Sequence, residues 1–380
     1  MAVGAGESWV LQLCHGYDGP FLDCARQYAV AFRSTEFKVC TVYLTGKPSE
    51  EVERGSASDE VLFLGYSGRD LRGLKLRAIR DVRQLMAGRR FRICIAHRFK
   101  PTYVALFATG LPVLSVNHAF GVYQRPMRRL LANVFRSRLT LLGVSQAVRD
   151  DLRSCLPGWE AMRIQHLYNR IDLEASTSLL RNRAEARDIL GLPPDSWVIG
   201  NVGRLHPDKD QSTLLRGFAQ ALPGLPPRSL LVILGRGKLE SELRQLASEL
   251  GISEKVFFLG QIPNARQLFA AFDVFVLSSD HEPFGMVLLE AMVAGVPLIS
   301  TDAGGAREVV QSVGQLFPLR DPSALAKCLI IRAEMGANEL ARTRLAMRTL
   351  LADSFSDSAV SPRLVDLATR TIGLSPGSSE

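Results

Sequence analysis

Short apolar runs alternate with helix-patterned stretches along almost the whole chain, and no other feature restricts its fold as strongly. In the first half the apolar runs cover 9–14, 38–44, 61–65, 93–96, 113–116, 139–144 and 164–168. They are rich in Val, Ile, Leu and Phe and end near Gly, His or Asn, as strands do. Helical patterns lie between most of them, as at 71–85 and 127–135. Strands that are apolar throughout and joined by helices build parallel sheets covered on both faces. A second series of strands is expected at 197–202, 230–234, 256–259, 274–277, 298–300 and 316–317. Its helices fall near 211–221, 239–250, 265–271, 286–293 and 306–311.

Between the two series the chain turns polar and basic, then reaches Gly191-Leu192-Pro193-Pro194. A chain of 380 residues is too long for one ordinary core and suits two domains. The expected fold is therefore α/β, with two Rossmann-like doubly wound domains. The first is expected over 1–180 and the second over 181–345. Helices over 346–372 are expected to cross back to the first domain, and 373–380 to form a disordered tail. Ligands of such sheets bind outside the carboxyl ends of the strands, so the expected site is a cleft between the domains.

Composition narrows the function classes. No apolar run reaches the roughly 18–20 residues of a membrane span, and no secretory signal pattern opens the chain. The cysteines are Cys14, Cys24, Cys40, Cys94, Cys155 and Cys328, with no C-x-x-C pair. They read as small core residues in a reducing cytoplasm, not as a zinc site. The net charge of +8 is unevenly placed. Residues 1–185 hold 27 Lys+Arg against 17 Asp+Glu, and 125–138 hold five arginines and no acid. Such a face suits nucleic acid, anionic lipid or a phosphorylated acceptor; the plain alternative is a solvated surface. No nucleic-acid motif accompanies it and the basic residues do not interleave with aromatics, so no nucleic-acid partner is expected. In the basic helix Met127, Leu130, Leu131 and Val134 stand against Arg125, Arg128, Arg129 and Arg136. That pattern fits a helix lying on an anionic membrane surface, and equally an ordinary helix packed on the sheet.

The sharpest chemical signal runs from Ser278 through Glu282-Pro283-Phe284-Gly285-Met286 to Glu290. A buried strand enters a polar loop, and a glycine then opens a helix whose free N–H groups make a seat for phosphate. Glu282 and Glu290 are placed to accept hydrogen bonds from sugar hydroxyls; otherwise they belong to a plain amphipathic helix. Arg204 and Lys209 follow a strand on one loop. By themselves they read as an exposed pair of surface cations, one a planar fork and the other a point charge. Asp208-Lys209-Asp210 formally matches a metal-binding D-x-D, a weak signal alone.

These segments resemble the retaining GT-B glycosyltransferases of family GT4, whose Glu-x7-Glu motif corresponds to Glu282 through Glu290. The resemblance extends over Asn201-Val202-Gly203-Arg204, Gly295-Val296-Pro297, Thr301-Asp302-Ala303-Gly304-Gly305, Gly143-Val144-Ser145 and Tyr168-Asn169-Arg170-Ile171-Asp172. It implies transfer of a hexose-type sugar from a nucleotide-sugar to a glycan or glycolipid, with retention, by front-face displacement. It implies that Glu290 holds the donor ribose and Glu282 the transferred sugar. The Gly285, Met286 and Val287 backbone would touch the diphosphate, and Arg204 and Lys209 would neutralise it. No metal or other cofactor is implied. A histidine near the reacting sugar is best matched by His118, with His97 on the acceptor side beside Arg125 and Arg128. A lone histidine is as often a hydrogen-bonded structural residue. Gly19 matches the first of a usual glycine pair; Pro20 stands at the second and has no N–H, so Gly16 is the substitute.

Together these features suggest a cytoplasmic enzyme of bacterial lipopolysaccharide or surface-polysaccharide synthesis, with peripheral contact at the inner face of the membrane. Rival readings on the same fold are a nucleotide-sugar epimerase, which needs no acceptor, and a non-catalytic binding subunit.

Overall fold

The computed structural model describes residues 7–373. Its contacts divide into two compact units. One comprises Met1–Asn169 with Asp357–Glu380, in so far as these are described, and the other Arg170–Ser356.

In the first unit the strands are β1 (Ser8–Cys14), β2 (Phe37–Thr45), β3 (Glu60–Tyr66), β4 (Arg90–His97), β5 (Val113–Asn117), β6 (Leu139–Gly143) and β7 (Ile164–His166). They form one parallel sheet in the order β3-β2-β1-β4-β5-β6-β7. β5 and β6 are buried along their whole length, as the continuous apolar runs require. The second unit holds β8 (Trp197–Val202), β9 (Ser229–Leu234), β10 (Val256–Gly260), β11 (Val274–Leu277), β12 (Leu298–Thr301) and β13 (Gln315–Phe317). They too are parallel, in the order β10-β9-β8-β11-β12-β13. Each sheet therefore starts in its middle, runs to one edge and returns to the other side. The reversal falls between β1 and β4 in one unit and between β8 and β11 in the other. At such a point adjacent connections leave in opposite directions and open a crevice at the strand carboxyl ends.

The helix expected over 71–85 starts only at Leu76. Gly73 and Lys75 hold left-handed backbone, with φ of 56° and 54°, which stops a helix from continuing through them. The segment Ala265–Ala271 winds as a 3₁₀ helix.

The units meet in sequence about ten residues before the expected join at 180/181. The helices Leu173–Ser178 and Arg183–Ile189 pack with the second unit, because bonds to distant backbone hold them there. Arg181 N–H donates to the Gln267 carbonyl at 2.9 Å. The buried Arg187 guanidinium donates to the Ala271 carbonyl at 3.1 Å and to Asp273 at 2.9 Å. Residues 346–356 also stay with the second unit, where the Phe355 ring meets Phe284 at 5.7 Å. Helix Asp357–Gly373 lies in the first unit and buries Val360, Leu364, Leu367 and Ala368. Its start is tied by the Arg26–Asp357 ion pair at 2.9 Å. The tail expected over 373–380 lies, beyond Gly373, outside the described residues. All six cysteines are free, and all but Cys328 are buried.

Candidate functional site

In the second unit two loops leave the carboxyl ends of β8 and β11 on either side of the reversal point and are stitched together. Ser278 Oγ donates to the Lys209 carbonyl at 2.8 Å, and Asp280 N–H to the Asp208 carbonyl at 3.0 Å. Thr301 Oγ1 at the end of β12 donates to the Ser279 carbonyl at 2.6 Å. This frame brings Lys209 Nζ to 2.6 Å from Glu282 Oε2, an ion pair between residues far apart in sequence. Glu282 is 8% exposed. The Arg204 side chain is 70% exposed, and its one ion-pair partner among the described residues is Asp208, at 3.4 Å. It is therefore a largely solvated guanidinium on the same loop as a half-buried lysine paired with Glu282.

Helix Met286–Val293 opens at the same place. Gly285, at its N-cap, has φ 92° and supplies no side-chain cap; its carbonyl accepts from the Leu288 N–H at 2.9 Å, and no cap side chain covers the helix start. Left-handed backbone at this point favours glycine. Gly305 seals the loop from behind: its N–H donates to the Glu282 carbonyl at 2.8 Å, and an added Cβ would stand 2.2 Å from the Pro283 oxygen. Glu290 sits one helical stretch away in a small cavity with Ser176, Arg266 and Gln267. The two glutamates thus serve separate surroundings, one against a lysine and one beside an arginine.

The two carboxylates of the D-x-D pattern do different work. Asp208 contacts His206 Nδ1 and Arg204. Asp210 has left-handed backbone and caps helix Gln211–Ala221, accepting from Thr213 N–H and from its hydroxyl at 2.7 Å. Among the described residues no group of three or more His, Cys, Asp or Glu is placed to hold a metal.

In the first unit a cavity of about 380 Å³ opens at the carboxyl ends of β1, β4 and β5. His15, Phe21, Arg98, Lys100, Asn117, His118 and Arg128 are among its lining residues. His97 lies behind it, 2% exposed, with Nδ1 3.3 Å from His118 Nε2 and its ring 4.7 Å from Tyr28. Burial, with Arg98 beside it, pulls the His118 pKa down to about 4. A histidine depressed in the fold gains its proton first in the unfolded chain. Its contribution to stability is complete above the unfolded value of about 6.5 and is lost as pH falls towards about 4. Burial also lowers His15 and His166, so a single variant must isolate the effect. His118→Gln is expected to flatten the fall in unfolding free energy between pH 6.5 and 4.5 in urea titrations. A slope equal to wild type would mean His118 is freely protonated in the fold.

The remaining expected residues fall around this cavity to different degrees. Gly16 packs on Thr45, whose Oγ1 would lie 2.6 Å from an added Cβ, while Gly19 has φ 61° and open space. Arg125 is exposed before helix Pro126–Val134 and does not line the cavity. Arg98 and Lys100, which do, were submerged in a long basic stretch of sequence. The signal that could have found them is position, directly after a strand at the reversal point.

The basic helix departs from an ordinary packed one. Met127, Leu130 and Val134 are 73%, 55% and 66% exposed, and only Ala132 is buried. Three of the five arginines are engaged by backbone. Arg128 donates to the Val122 carbonyl, Arg136 to that of Gly158, and Arg138 to those of Leu106, Thr109 and Leu111. Arg125 and Arg129 remain exposed. No helix among the described residues is long and apolar enough to cross a membrane.

Two doubly wound sheets, one with cations, a buried carboxylate and an uncapped helix start at its reversal point, define a two-domain α/β protein of Rossmann-like type. Two family models match in tandem: "Glycosyltransferase Family 4" over 24–175 and "Glycosyl transferases group 1" over 182–340. Together they cover more than four-fifths of the chain. The chain belongs to glycosyltransferase family 4, with the GT-B fold.

Among its relatives is the lipopolysaccharide core biosynthesis glycosyltransferase LpsE of Rhizobium meliloti. It is 34% identical over 182 residues, which is 47% of this chain and 51% of that protein. The D-inositol 3-phosphate glycosyltransferase of Nocardia farcinica is 33% identical over 191 residues, 48% of this chain and 39% of that protein. The chain thus matches about half the length of these relatives or less. Among solved structures, Anabaena Alr3699/HepE in complex with UDP and glucose superposes with a TM-score of 0.77 at 21% identity, over 96% of this chain and 100% of that one.

Proposed function

We propose that the protein transfers a hexose-type sugar from a nucleotide-sugar donor to a glycan or glycolipid acceptor with retention, in synthesis of lipopolysaccharide or another bacterial surface polysaccharide. The observation that carries this reading is the meeting of Arg204, the Lys209–Glu282 pair and the open helix start at Gly285. In it the donor belongs to the second unit. The diphosphate lies on the Gly285, Met286 and Val287 backbone, and Arg204 and Lys209 stabilise the charge that develops on it as it leaves. Glu282 binds hydroxyls of the transferred sugar and Glu290 those of the ribose. The departing phosphate assists deprotonation of the acceptor on the same face, so no protein nucleophile and no metal is required. The UDP and glucose held by the HepE fold relative and the lipopolysaccharide-core role in the LpsE name support donor class and pathway.

The melting temperature of the full chain, without added metal, is expected to rise with one of UDP, GDP or ADP. Ligand at a hundred times its Kd stabilises by about 2.7 kcal/mol. Glu290→Ala should remove most of that rise. If no nucleotide raises the melting temperature, the donor site is not where this reading puts it.

We also propose peripheral attachment to an anionic membrane through Met127, Leu130 and Val134, flanked by Arg125 and Arg129. Flotation with vesicles containing phosphatidylglycerol should carry the protein, and the Met127→Ser/Leu130→Ser pair should weaken this several-fold. Equal flotation of both proteins would exclude this helix as the anchor.

A further inference from the structure

We propose that the cavity of the first unit binds a sugar phosphomonoester, with Arg98, Lys100 and Arg128 on the phosphate and Asn117 and His15 on the sugar. That this phosphosugar is the acceptor, or the acceptor's attachment point, rests on the transferase reading; the anion site itself does not.

The charge argument comes first. Three cations line this cavity and no Asp or Glu does. Among the described residues no carboxylate pairs with any of the three. Asp18 acts on His15, and its effect there is smaller than those of Lys100 and Arg98. Burial lowers the pKa of both arginines, and Lys75, just outside, is lowered by burial and then by Lys100 and Arg128. Cations gathered without a counterion, with Lys100 and Arg128 partly buried and Arg98 exposed, cost the fold free energy that a bound dianion offsets.

The cations are also held in place. Arg98 follows β4 directly, with φ 74°, a left-handed backbone that a non-glycine residue adopts at a cost. Its guanidinium lies 4.1 Å from the Phe21 ring centroid, and that of Arg128 lies 4.4 Å from the Phe99 ring centroid. Aromatic seats keep the planar forks at the cavity while leaving most of their donors unused. A helix of ten residues, Phe99–Ala108, starts at Arg98 without a side-chain cap and adds positive potential.

The uncharged groups point to hydroxyls. Asn117 is 1% exposed. Its Nδ2 donates to the Ser115 carbonyl at 2.9 Å, while its Oδ1 accepts no hydrogen bond among the described residues. His15 Nδ1 is likewise buried and unbonded. Buried polar atoms without partners are rare and mark places completed by a ligand or water. A cavity of about 380 Å³ has room for a monosaccharide phosphate.

The test is calorimetric titration of the full chain with glucose 6-phosphate, glucose and inorganic phosphate at one ionic strength. Saturable binding is expected for glucose 6-phosphate, at least tenfold weaker binding for glucose, and competition by inorganic phosphate. Lys100→Gln and Arg98→Gln should each weaken glucose 6-phosphate binding about tenfold or more. Arg204→Ala, in the second unit, should leave it unchanged. Should Arg98→Gln fail to fold, Lys100→Gln decides, since the Lys100 side chain makes no hydrogen bond or ion pair among the described residues. No saturable binding of either phosphate, equal binding of glucose, or loss in Arg204→Ala alone overturns the site. A nucleotide-induced rise in melting temperature with phosphate binding absent overturns the anion site only. Phosphate binding with no nucleotide response overturns the transferase reading only.

Discussion

Glu282→Ala is expected to lower turnover by about two to three orders of magnitude, the loss typical of removing one preorganised group around a reacting centre. It should also destabilise the fold, and this second effect separates it from other variants of the site. Lys209 and Glu282 meet at 2.6 Å with side-chain exposures of 18% and 11%. Removing one member of a buried pair leaves the other charge without a counterion, which costs about 3–5 kcal/mol when burial is complete. Lys209 retains some access to water, so about 3 kcal/mol is expected in denaturant titrations. Glu282→Gln keeps the volume and part of the hydrogen bonding, and should cost less stability than Glu282→Ala while losing comparable turnover. Stability equal to wild type in Glu282→Ala would mean that the pair is open in solution. Turnover equal to wild type would remove Glu282 from the reaction.

Arg204→Ala is expected to slow transfer and donor hydrolysis together by about a hundredfold or more, since both depend on stabilising the same leaving diphosphate. The melting temperature should stay near that of wild type. The Arg204 side chain is 70% exposed, and its contact with Asp208 at 3.4 Å is a surface ion pair of little worth to stability. Arg204→Lys should recover only part of the rate, because a point charge lacks the planar fork. Rates of transfer and hydrolysis that fall by different factors would assign Arg204 to acceptor orientation, and unchanged rates would leave it a surface cation.

Much of the scaffold was readable from local pattern. Every run read as a strand lies within or overlaps one of β1–β13, because buried parallel strands must be apolar on both faces and so appear as unbroken runs. Glu282, Gly285 and Glu290 stood out for a related reason: strand, loop and helix start follow one another directly in the chain. The domain join was less legible. The polar stretch before Pro194 has the composition of a linker, yet Arg181 and Arg187 bind backbone and Asp273 some 86 residues on, and this moves two helices into the second unit. Charge was misleading in another way. Five arginines at 125–138 suggest a free basic face, but Arg128, Arg136 and Arg138 spend donors on carbonyls. Which arginines stay free depends on which carbonyls the fold leaves unpaired nearby.

The sequence by itself determined two doubly wound sheets, the helix start at Gly285 and the family to which the chain belongs, since periodicity and strand-to-helix turns are properties of neighbouring residues. The tertiary structure alone decided that Lys209 faces Glu282, and that Arg98, Lys100, Arg128 and Asn117 share one cavity. Those meetings depend on strand order and on how far each loop projects from its sheet. Both are settled by packing between segments distant in the chain, where local pattern carries no information about which side chain meets which.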